Sequence, residues 1–287
     1  MSINGGVVAD TLKYCNTRHV PRGELFIYKD FLDFYFAEYK TDYVKQLDGA
    51  AHSLALSAIG IDLSRKESQI ILGHSAFNQL EEYYTIGCIN GPVAGLINRH
   101  GFCETMLSMR KNPSLLKEAG EALAVDVERL CILAAVDKFK AVAITDDIAG
   151  NQGLFFSPIQ FTDLFLPVYQ KLATIIKDHG MATFFHSDGD MRPVLGALAN
   201  AGYDCVHPVD VQAGITAYDL RDSLGERLCF MGNIDILAWS EERIAEEAHS
   251  SEKAFSKGGL IIGSTGGISM DTAEKLGALY PEWKDRR

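Results

Sequence analysis

The sequence predicts an α/β protein, a (β/α)8 TIM barrel, and three observations lead to this fold class. Eight short apolar runs of strand length can be counted along the 287 residues, and most of them alternate with helical patterns. Seven of the eight runs end in polar residues, as expected of strands whose carboxyl ends form one reactive rim. No GxGxxG segment follows the first strand, which disfavours a doubly wound dinucleotide-binding sheet.

The composition excludes several classes of protein. With a net charge of −11 and no basic run, the chain is not expected to bind nucleic acid or an anionic membrane. No apolar run reaches membrane-spanning length, and the first residues do not have the pattern of a signal peptide. The six cysteines show no CxxC spacing, so we expect them to be reduced. The sequence therefore predicts a soluble cytoplasmic protein.

The chain divides into a polar lead-in and one domain. Residues 1–22 form the predicted lead-in, and residues 23–287 form the predicted barrel domain. The predicted strands lie at residues 24–29, 61–63, 84–90, 141–147, 182–186, 205–208, 228–232 and 260–263. The predicted helices lie at residues 8–15, 30–40, 43–59, 104–138, 158–179, 192–201, 217–224, 241–257 and 272–279.

Local signals justify these elements in order. Aromatic residues at helical spacing favour a helix at 30–40. Strand 2 is weak, so we expect a distortion of the barrel around it. Pro113 suits a helix start, so the long helical region around it is expected to break there. Ser157 as N-cap with Pro158 at the first helical position marks the helix after strand 4. From strand 5 onward the alternation of strands and helices is regular.

The chemistry of a TIM barrel is carried by the loops that follow the strands. Ten polar residues at or just after the predicted strand ends are therefore candidate site residues: Lys29, Asn90, Asp146, Asp147, His186, Asp188, His207, Asp210, Asn233 and Asp235. Residues i and i+2 of a strand face the same side, so His186 and Asp188 can converge on one point. Asp146 and Asp147 face opposite ways, so only one of them can point into the mouth.

Each of these residues also has a structural interpretation. An aspartate after a strand often caps the next helix, and this alternative stays open for Asp188, Asp190, Asp210 and Asp235. A single histidine at a strand end is more often structural, but two on adjacent strands with nearby carboxylates favour a function. A histidine and a carboxylate at i, i+2 can bind a metal or act as an acid–base pair. Because Lys29 and Arg192 are the only basic residues near strand ends, a highly anionic substrate is disfavoured.

Six segments together resemble the uroporphyrinogen decarboxylase superfamily. They are VPRGELF (20–26), INGPVAG (89–95), TDDIAGNQGLFFSP (145–158), FFHSDGD (184–190), GNID (232–235) and GSTGGISMDTA (263–273). The resemblance is spread over about residues 18–276, with the same order and spacing. It implies a (β/α)8 barrel, in agreement with the periodicity.

The resemblance implies two chemistries, of which the first is decarboxylation in porphyrin biosynthesis. Uroporphyrinogen decarboxylases remove carboxylates from a tetrapyrrole without a cofactor, and they meet its carboxylates with an arginine-rich segment of the type RQAGRY. The corresponding segment here reads RGELFIYKDF (22–31), without that signature. An evident counterpart of the family's catalytic aspartate is also missing. We therefore keep decarboxylation as the alternative function.

The second chemistry is methyl transfer. This branch contains methyltransferases that work with corrinoid proteins, and it implies transfer of a methyl group between a small methoxy or methylated substrate and a corrinoid protein. Their zinc uses His-x-Cys after strand 5 and a cysteine after strand 8. Here the first motif reads His186-Ser187-Asp188, and residues 263–267 contain no cysteine. A zinc site with carboxylate in place of thiolate would be harder and weaker.

Methyl transfer is the leading hypothesis, and it assigns roles to the candidate residues. His186, Asp188 and Asp147 are the predicted catalytic residues. His186 and Asp188 are also the predicted zinc ligands, with Asp235 or His207 as further ones, and His186 is the candidate general acid. The predicted substrate-binding residues are Lys29, Asn90, Asp146, His207, Asp210, Asn233 and Asp235.

Two further hypotheses concern binding partners. The chain could be a non-catalytic barrel that binds a tetrapyrrole or corrinoid partner, given the missing arginine signature and zinc cysteines. It could also form a homodimer through the aromatic region at residues 31–39.

Overall fold

The computed structural model of the protein describes residues 5–15, 19–26, 28, 31, 84, 86–136 and 139–280. The predicted strand 2, the helix at 43–59 and the candidate residue Lys29 lie outside these ranges. So does the predicted dimer region at 31–39, except for Phe31. That side chain is fully buried in the hydrophobic core, so it does not belong to an exposed dimer surface.

The chain forms a six-stranded parallel sheet and a small antiparallel hairpin. In chain order the strands are β1 (Ile86–Asn90), β2 (Ala141–Thr145), β3 (Ala149–Gly150), β4 (Gly153–Leu154), β5 (Ala182–His186), β6 (Cys205–His207), β7 (Cys229–Met231) and β8 (Leu260–Ile261). Strands β3 and β4 pair with each other, and the other six pair in the order β1-β2-β5-β6-β7-β8. These six are predicted strands 3 to 8, with ends within about two residues of the expected positions.

Helices separate the strands of the main sheet. They are α1 (Gly5–Leu12), α2 (Pro92–His100), α3 (Phe102–Lys111), α4 (Ser114–Val136), α5 (Pro158–Gln160, the π-helical turn Phe161–Phe165, and Leu166–Asp178), α6 (Arg192–Asn200), α7 (Ala217–Leu224), α8 (Glu241–Ala254) and α9 (Leu276–Leu279). Short 3-10 helices lie at Val211–Ala213 and Met270–Lys275. No helix in the described ranges combines the length and the apolar content that crossing a membrane requires.

The helix starts follow the local signals in the sequence. Ser157 caps α5, accepting a hydrogen bond from the backbone N–H of Gln160, whose side chain accepts one in return from the Ser157 N–H. The expected break near Pro113 is confirmed, because α3 ends before it and α4 begins after it. Helix α2 was not predicted, although Pro92 at its first position is a start signal of the same kind.

The sheet is curled around a core of its own. Side chains alternate between the two faces of a strand, and one face of the sheet supplies an inner cluster. Its strand residues include Ile86, Ala141, Ala143, Phe184, Cys205, Cys229, Met231 and Ile261. The opposite face packs against the helices in a larger, outer cluster. The inner cluster contains residues of β1 and of β8, which lie at opposite ends of the strand order, so the sheet is curled as in a distorted barrel, and no hydrogen-bonded ladder joins these two strands among the described residues.

The segment of the first predicted strand lies beside β8, but the bridge that joins them is between Arg22 and Ile262, and the described residues of the predicted range (24–26 and 28) are not in a strand. Backbone hydrogen bonds run from Gly23 N to Ile262 O and from Ile262 N to Pro21 O, both 2.9 Å. Farther along, Ile268 N donates to Phe26 O at 3.0 Å. The six strands of the main sheet follow one another in chain order, and the segment around Arg22 lies next to Ile262, in agreement with the predicted (β/α)8 barrel, whose strand 2 falls outside the described residues.

Helix α1 packs into the interior of the barrel. Its Val8 belongs to the inner cluster, and its Thr11 carbonyl accepts hydrogen bonds from Gly259 N at 3.1 Å and from Cys229 Sγ at 3.4 Å. The helix thereby closes the end of the barrel at which the amino ends of the strands lie. The division at residue 22 between a lead-in and a domain stays a prediction.

The seam between the first strand and β8 depends on a close backbone approach and on a buried carboxylate. A side chain on Gly263 would overlap the carbonyl oxygen of Gly23. One residue farther along, Glu24 is fully buried and accepts hydrogen bonds from the Ser264 N–H and hydroxyl and, at 2.5 Å, from the Tyr280 hydroxyl. Burial raises the pKa of Glu24 to about 7, and these hydrogen bonds oppose the rise.

We expect Gly263→Ala to destabilise the fold by about 1–3 kcal/mol or more, because the added methyl group must push the two strands apart. The measurement is the free energy of unfolding in urea. The matched control is Gly266→Ala, three residues away, where an added methyl group meets no atom within 4 Å. Equal stability of the two variants would contradict the close approach.

The pKa of Glu24 predicts a pH dependence of stability. The folded carboxyl titrates at about 7 and the unfolded one at 4.5, so the folded state binds more protons between these values. The free energy of unfolding therefore falls as pH rises through this window, with at most about 1.4 kcal/mol per pH unit from this group. Glu24→Gln should make the profile shallower, whereas Gln at the exposed Glu226 should leave it unchanged. Identical profiles for wild type and Glu24→Gln would contradict the prediction.

Candidate metal centre

A layer of polar side chains lies at the carboxyl ends of the strands. The strand register places Asn90 beside Thr145, Thr145 beside His186, and His186 beside His207. The Thr145 hydroxyl donates to Asn90 Oδ1 at 3.2 Å. These residues continue the inward-facing positions of the inner cluster, so the layer lies above the apolar interior at the mouth of the barrel.

Three side chains converge above this layer. One potential ligand atom each of Asp147, His186 and Asp188 lies within 4.8 Å of the other two. His186 Nε2 is 3.6 Å from Asp147 Oδ1, and the backbone N–H of Asp188 donates to the same oxygen at 3.1 Å. We call these three residues the triad. Their placement agrees with the i, i+2 spacing of His186 and Asp188, while their roles stay predictions.

Residues next to the triad fix the orientation of its side chains. Ser187 lies between two triad members and points away from the mouth, where its hydroxyl accepts from Ile148 N at 3.0 Å. Gly189 has a φ of +86°, and a side chain there would lie 2.6 Å from the backbone of Gly150. The hairpin β3–β4 therefore packs directly on the loop after β5, and only glycine permits this contact.

The triad is electrostatically suited to a cation. Partial burial, with repulsion from Asp147 and Asp210, raises the pKa of Asp188 to about 6. Burial lowers the pKa of His186 to about 4, with Asp147 opposing, so the imidazole is neutral at pH 7. Two described cations follow the strands, and both are engaged elsewhere: Arg192 is paired with Asp190 at 2.7 Å, and Lys275 donates to the carbonyls of Leu237 and Trp239. The carboxylates of the triad thus have no cationic partner in the described chain.

The donor set fits a divalent metal ion. A neutral imidazole and two carboxylates are acceptable ligands of zinc and of harder divalent ions. The triad contains no thiolate, and the buried Cys205 lies lower in the barrel, two residues before His207. The residues present therefore fit a borderline or hard cation better than a soft one.

Asp146 does not line the mouth. Its buried carboxylate accepts from Val93 N at 3.2 Å and Ala94 N at 2.6 Å in the first turn of α2, and from the Tyr169 hydroxyl of α5 at 2.7 Å. Burial raises its pKa to about 7. All of these partners lie outside the barrel, so these contacts tie α2 and α5 to the sheet, and the substrate-binding role of Asp146 stays a prediction. Only Asp147 points into the mouth.

Three other predicted substrate-binding residues also have structural partners. The Asn233 amide donates to the Ser251 hydroxyl of α8 at 2.9 Å, so this side chain faces a helix and not the mouth. Asp210 accepts from Gly189 N at 2.8 Å and caps the 3-10 turn after β6. Asp235 accepts from Ala238 N and from the Gln212 side chain at 2.9 and 3.0 Å. Asp210 and Asp235 thus make the capping contacts of the structural alternative, and the substrate-binding roles of all three residues stay predictions.

One contributor to the mouth was not predicted. The ring of Phe26, from the first strand, packs edge-on against His186 and His207, with centroids 4.8 and 5.7 Å away. The sequence shows Phe26 only as part of an apolar run, and nothing local relates it to the histidines. It shields the two imidazoles from one side.

Comparisons with known proteins agree with this architecture. The sequence profile of one family, described as uroporphyrinogen decarboxylase (URO-D), matches residues 78–279. A methyltransferase from Methanosarcina mazei has a similar structure, with a TM-score of 0.61, 16% identity and coverage of 97% of this chain and 78% of that chain. The Bacillus subtilis mannanase BCman is similar over 73% of this chain and 70% of its own, with 12% identity and a TM-score of 0.46. No curated protein sequence matches the chain.

Proposed function

Because the chain belongs to the uroporphyrinogen decarboxylase family, we propose that it is a methyltransferase-type enzyme of that family. It would move a methyl group between a small methoxy or methylated substrate and a corrinoid held by a partner protein. The observation that carries the proposal is the triad of Asp147, His186 and Asp188 at the barrel mouth. A neutral imidazole between two carboxylates supports metal-assisted transfer more than it supports recognition of a polycarboxylate.

The triad would hold a divalent cation. Such an ion would act as a Lewis acid on the heteroatom that carries the methyl group, making it a better leaving group. His186 contributes a neutral ring with Nε2 3.6 Å from Asp147 Oδ1, and the two carboxylates supply the compensating negative charge. With a pKa of about 4, His186 suits ligation better than the general-acid role considered from the sequence.

The transfer step balances without another reactant. In the direction from a methoxy substrate, the carbon–oxygen bond breaks and the methyl carbon bonds to the cobalt(I) of the corrinoid, which supplies the electron pair. The oxygen keeps the electrons of the broken bond and takes up one proton. Asp147 and Asp188 are both exposed to solvent, so a proton and a docked partner can reach the triad.

Decarboxylation of uroporphyrinogen is the competing function within the family. A tetrapyrrole with eight carboxylates requires cationic partners, and the described cations that follow the strands are engaged, Arg192 with Asp190 and Lys275 with the carbonyls of Leu237 and Trp239. The mouth carries the exposed carboxylates of Asp147 and Asp188 instead. The charge of the described mouth therefore favours methyl transfer.

Removing any member of the triad should abolish metal binding and methyl transfer together. We expect Asp147→Asn, His186→Ala and Asp188→Asn to weaken Zn²⁺ or Co²⁺ binding by more than about 100-fold, since losing a ligand exceeds the 10- to 100-fold cost typical of outer-shell changes. Calorimetric titration measures the affinity, and methylation of free cob(I)alamin from methoxyarenes measures the activity. Asp190→Asn is the matched control, because this neighbouring aspartate is bound to Arg192.

Either of two results would overturn the proposal, and each would support a different alternative function. Formation of coproporphyrinogen from uroporphyrinogen, undiminished by a chelator and by the triad variants, would establish the decarboxylase. Absence of metal binding and of both activities, with a corrinoid protein still bound by wild type and by His186→Ala, would establish the non-catalytic barrel.

The carboxylate at position 188 predicts the metal preference. We expect Asp188→Cys to raise the affinity for Zn²⁺ relative to Mn²⁺, because a thiolate is a softer ligand than a carboxylate. Competition titrations with the two ions measure the ratio. Ser187→Cys is the control, since the side chain at 187 is buried and faces away from the triad. An unchanged ratio in Asp188→Cys would show that residue 188 is not a ligand.

A further inference from the structure

The imidazole of His186, a member of the triad, contacts a second imidazole, that of His207. His186 Nδ1 and His207 Nδ1 are 2.9 Å apart, and both side chains are buried. A nitrogen–nitrogen contact of this length is a hydrogen bond, so only one of the two nitrogens carries the proton. The pair can therefore adopt two arrangements, which differ in what His186 presents to the mouth.

In the first arrangement His186 donates from Nδ1, and its Nε2 carries a lone pair toward Asp147, 3.6 Å away. In the second arrangement His207 donates, and His186 Nε2 carries the proton instead. A lone pair that faces a carboxylate is unfavourable unless a cation lies between them. A metal ion on the triad consequently requires the first arrangement, in which His207 accepts at Nδ1 and carries its own proton on Nε2.

The surroundings of His207 favour the same arrangement. His207 Nε2 is buried, and within the described ranges it has no hydrogen-bond partner of good geometry. The Ser264 carbonyl borders the same space, because a side chain on Gly232 would lie 2.7 Å from that oxygen and 3.0 Å from His207 Nε2. An N–H at Nε2 can point toward this acceptor, whereas a lone pair would oppose another lone pair.

Hydrogen bonds to the neighbouring segment hold the Ser264 carbonyl in place. Glu24 accepts hydrogen bonds from the Ser264 N–H and hydroxyl, so the residue that faces His207 is fixed by the first strand. Phe26, two residues after Glu24, packs edge-on against both imidazoles. The orientation of the histidine pair is thus determined by buried neighbours on the first strand and at the end of β8.

We propose that His207 is a positioning residue, which accepts a hydrogen bond from His186 Nδ1 and thereby directs the His186 Nε2 lone pair to the metal position. It is neither a zinc ligand nor a substrate-binding residue. The inference rests on the proposed function in that it presupposes a metal ion on the triad. It does not depend on which methyl donor or acceptor is used.

Metal binding tests the role, with Zn²⁺ or Co²⁺ alone as the probe. His207→Leu removes the acceptor and should weaken binding by about 10- to 100-fold, the usual effect of losing an outer-shell partner. His207→Asn places an amide oxygen near the position of Nδ1 and should restore most of the affinity and the visible spectrum of bound Co²⁺. His249→Leu is the matched control at an exposed histidine.

A measurement on the wild type keeps the test decisive if His207→Leu does not fold. Nitrogen-15 NMR of imidazole groups in the Zn²⁺-loaded protein reports which ring nitrogen carries the proton. We expect the proton on Nδ1 of His186 and on Nε2 of His207. A proton on Nε2 of His186, or wild-type affinity in a folded His207→Leu variant, would overturn the inference.

The outcomes separate this inference from the proposed function. Metal binding that depends on His207, without methylation of cobalamin, would leave the positioning role intact and remove the methyltransferase. Methylation of cobalamin by a protein whose metal binding does not depend on His207 would support the methyltransferase and remove the positioning role. A wild-type chain that binds neither ion would overturn the positioning role and the metal site together.

Discussion

The two carboxylates that follow β2 point in opposite directions, and the mouth of the barrel depends on that divergence. Asp146 turns outward, where the amides of Val93 and Ala94 and the hydroxyl of Tyr169 satisfy it. The backbone is thereby fixed at the residue before Asp147, which must turn inward. A buried carboxylate with three donors ties α2 and α5 to the sheet and at the same time aims the first member of the triad. The dipeptide Asp146–Asp147 therefore contributes both to the packing of the helices on the sheet and to the triad.

The electrostatics of the mouth follow from the same arrangement. Partial burial, with the nearby Asp147 carboxylate, raises the pKa of Asp188, and the Arg192 guanidinium is bound to Asp190. Such a concentration of carboxylates beside a neutral imidazole is costly in the free protein and is relieved by a divalent cation. The donor atoms of the triad are an imidazole nitrogen and carboxylate oxygens, a set that fits borderline or hard ions better than soft ones. The family supplies the fold, and the residues of the mouth decide which chemistry it can perform.

Much of the fold could be predicted from periodicity, because strands β1, β2 and β5 to β8 are marked by apolar runs with polar ends. The convergence of His186 and Asp188 could be predicted for the same reason, since positions i and i+2 share a face. The capping roles of Asp210 and Asp235 could not be separated from a site role. Both interpretations require a polar residue just after a strand, and only the amides that reach the carboxylate distinguish them. Asn233 shows the same limit, because its partner Ser251 is 18 residues away.

The sequence alone determined the order of the six strands of the main sheet and their ends to within about two residues. It also determined that a histidine and a carboxylate share one face after strand 5, because these properties depend on neighbours within a few residues. The tertiary structure decided which strand ends meet. It placed His207 against His186, Asp147 beside Asp188, and Glu24 beneath Ser264, through the parallel register and the closure of the barrel. These contacts join residues 21, 41 and 240 positions apart, and no local pattern encodes such a pairing.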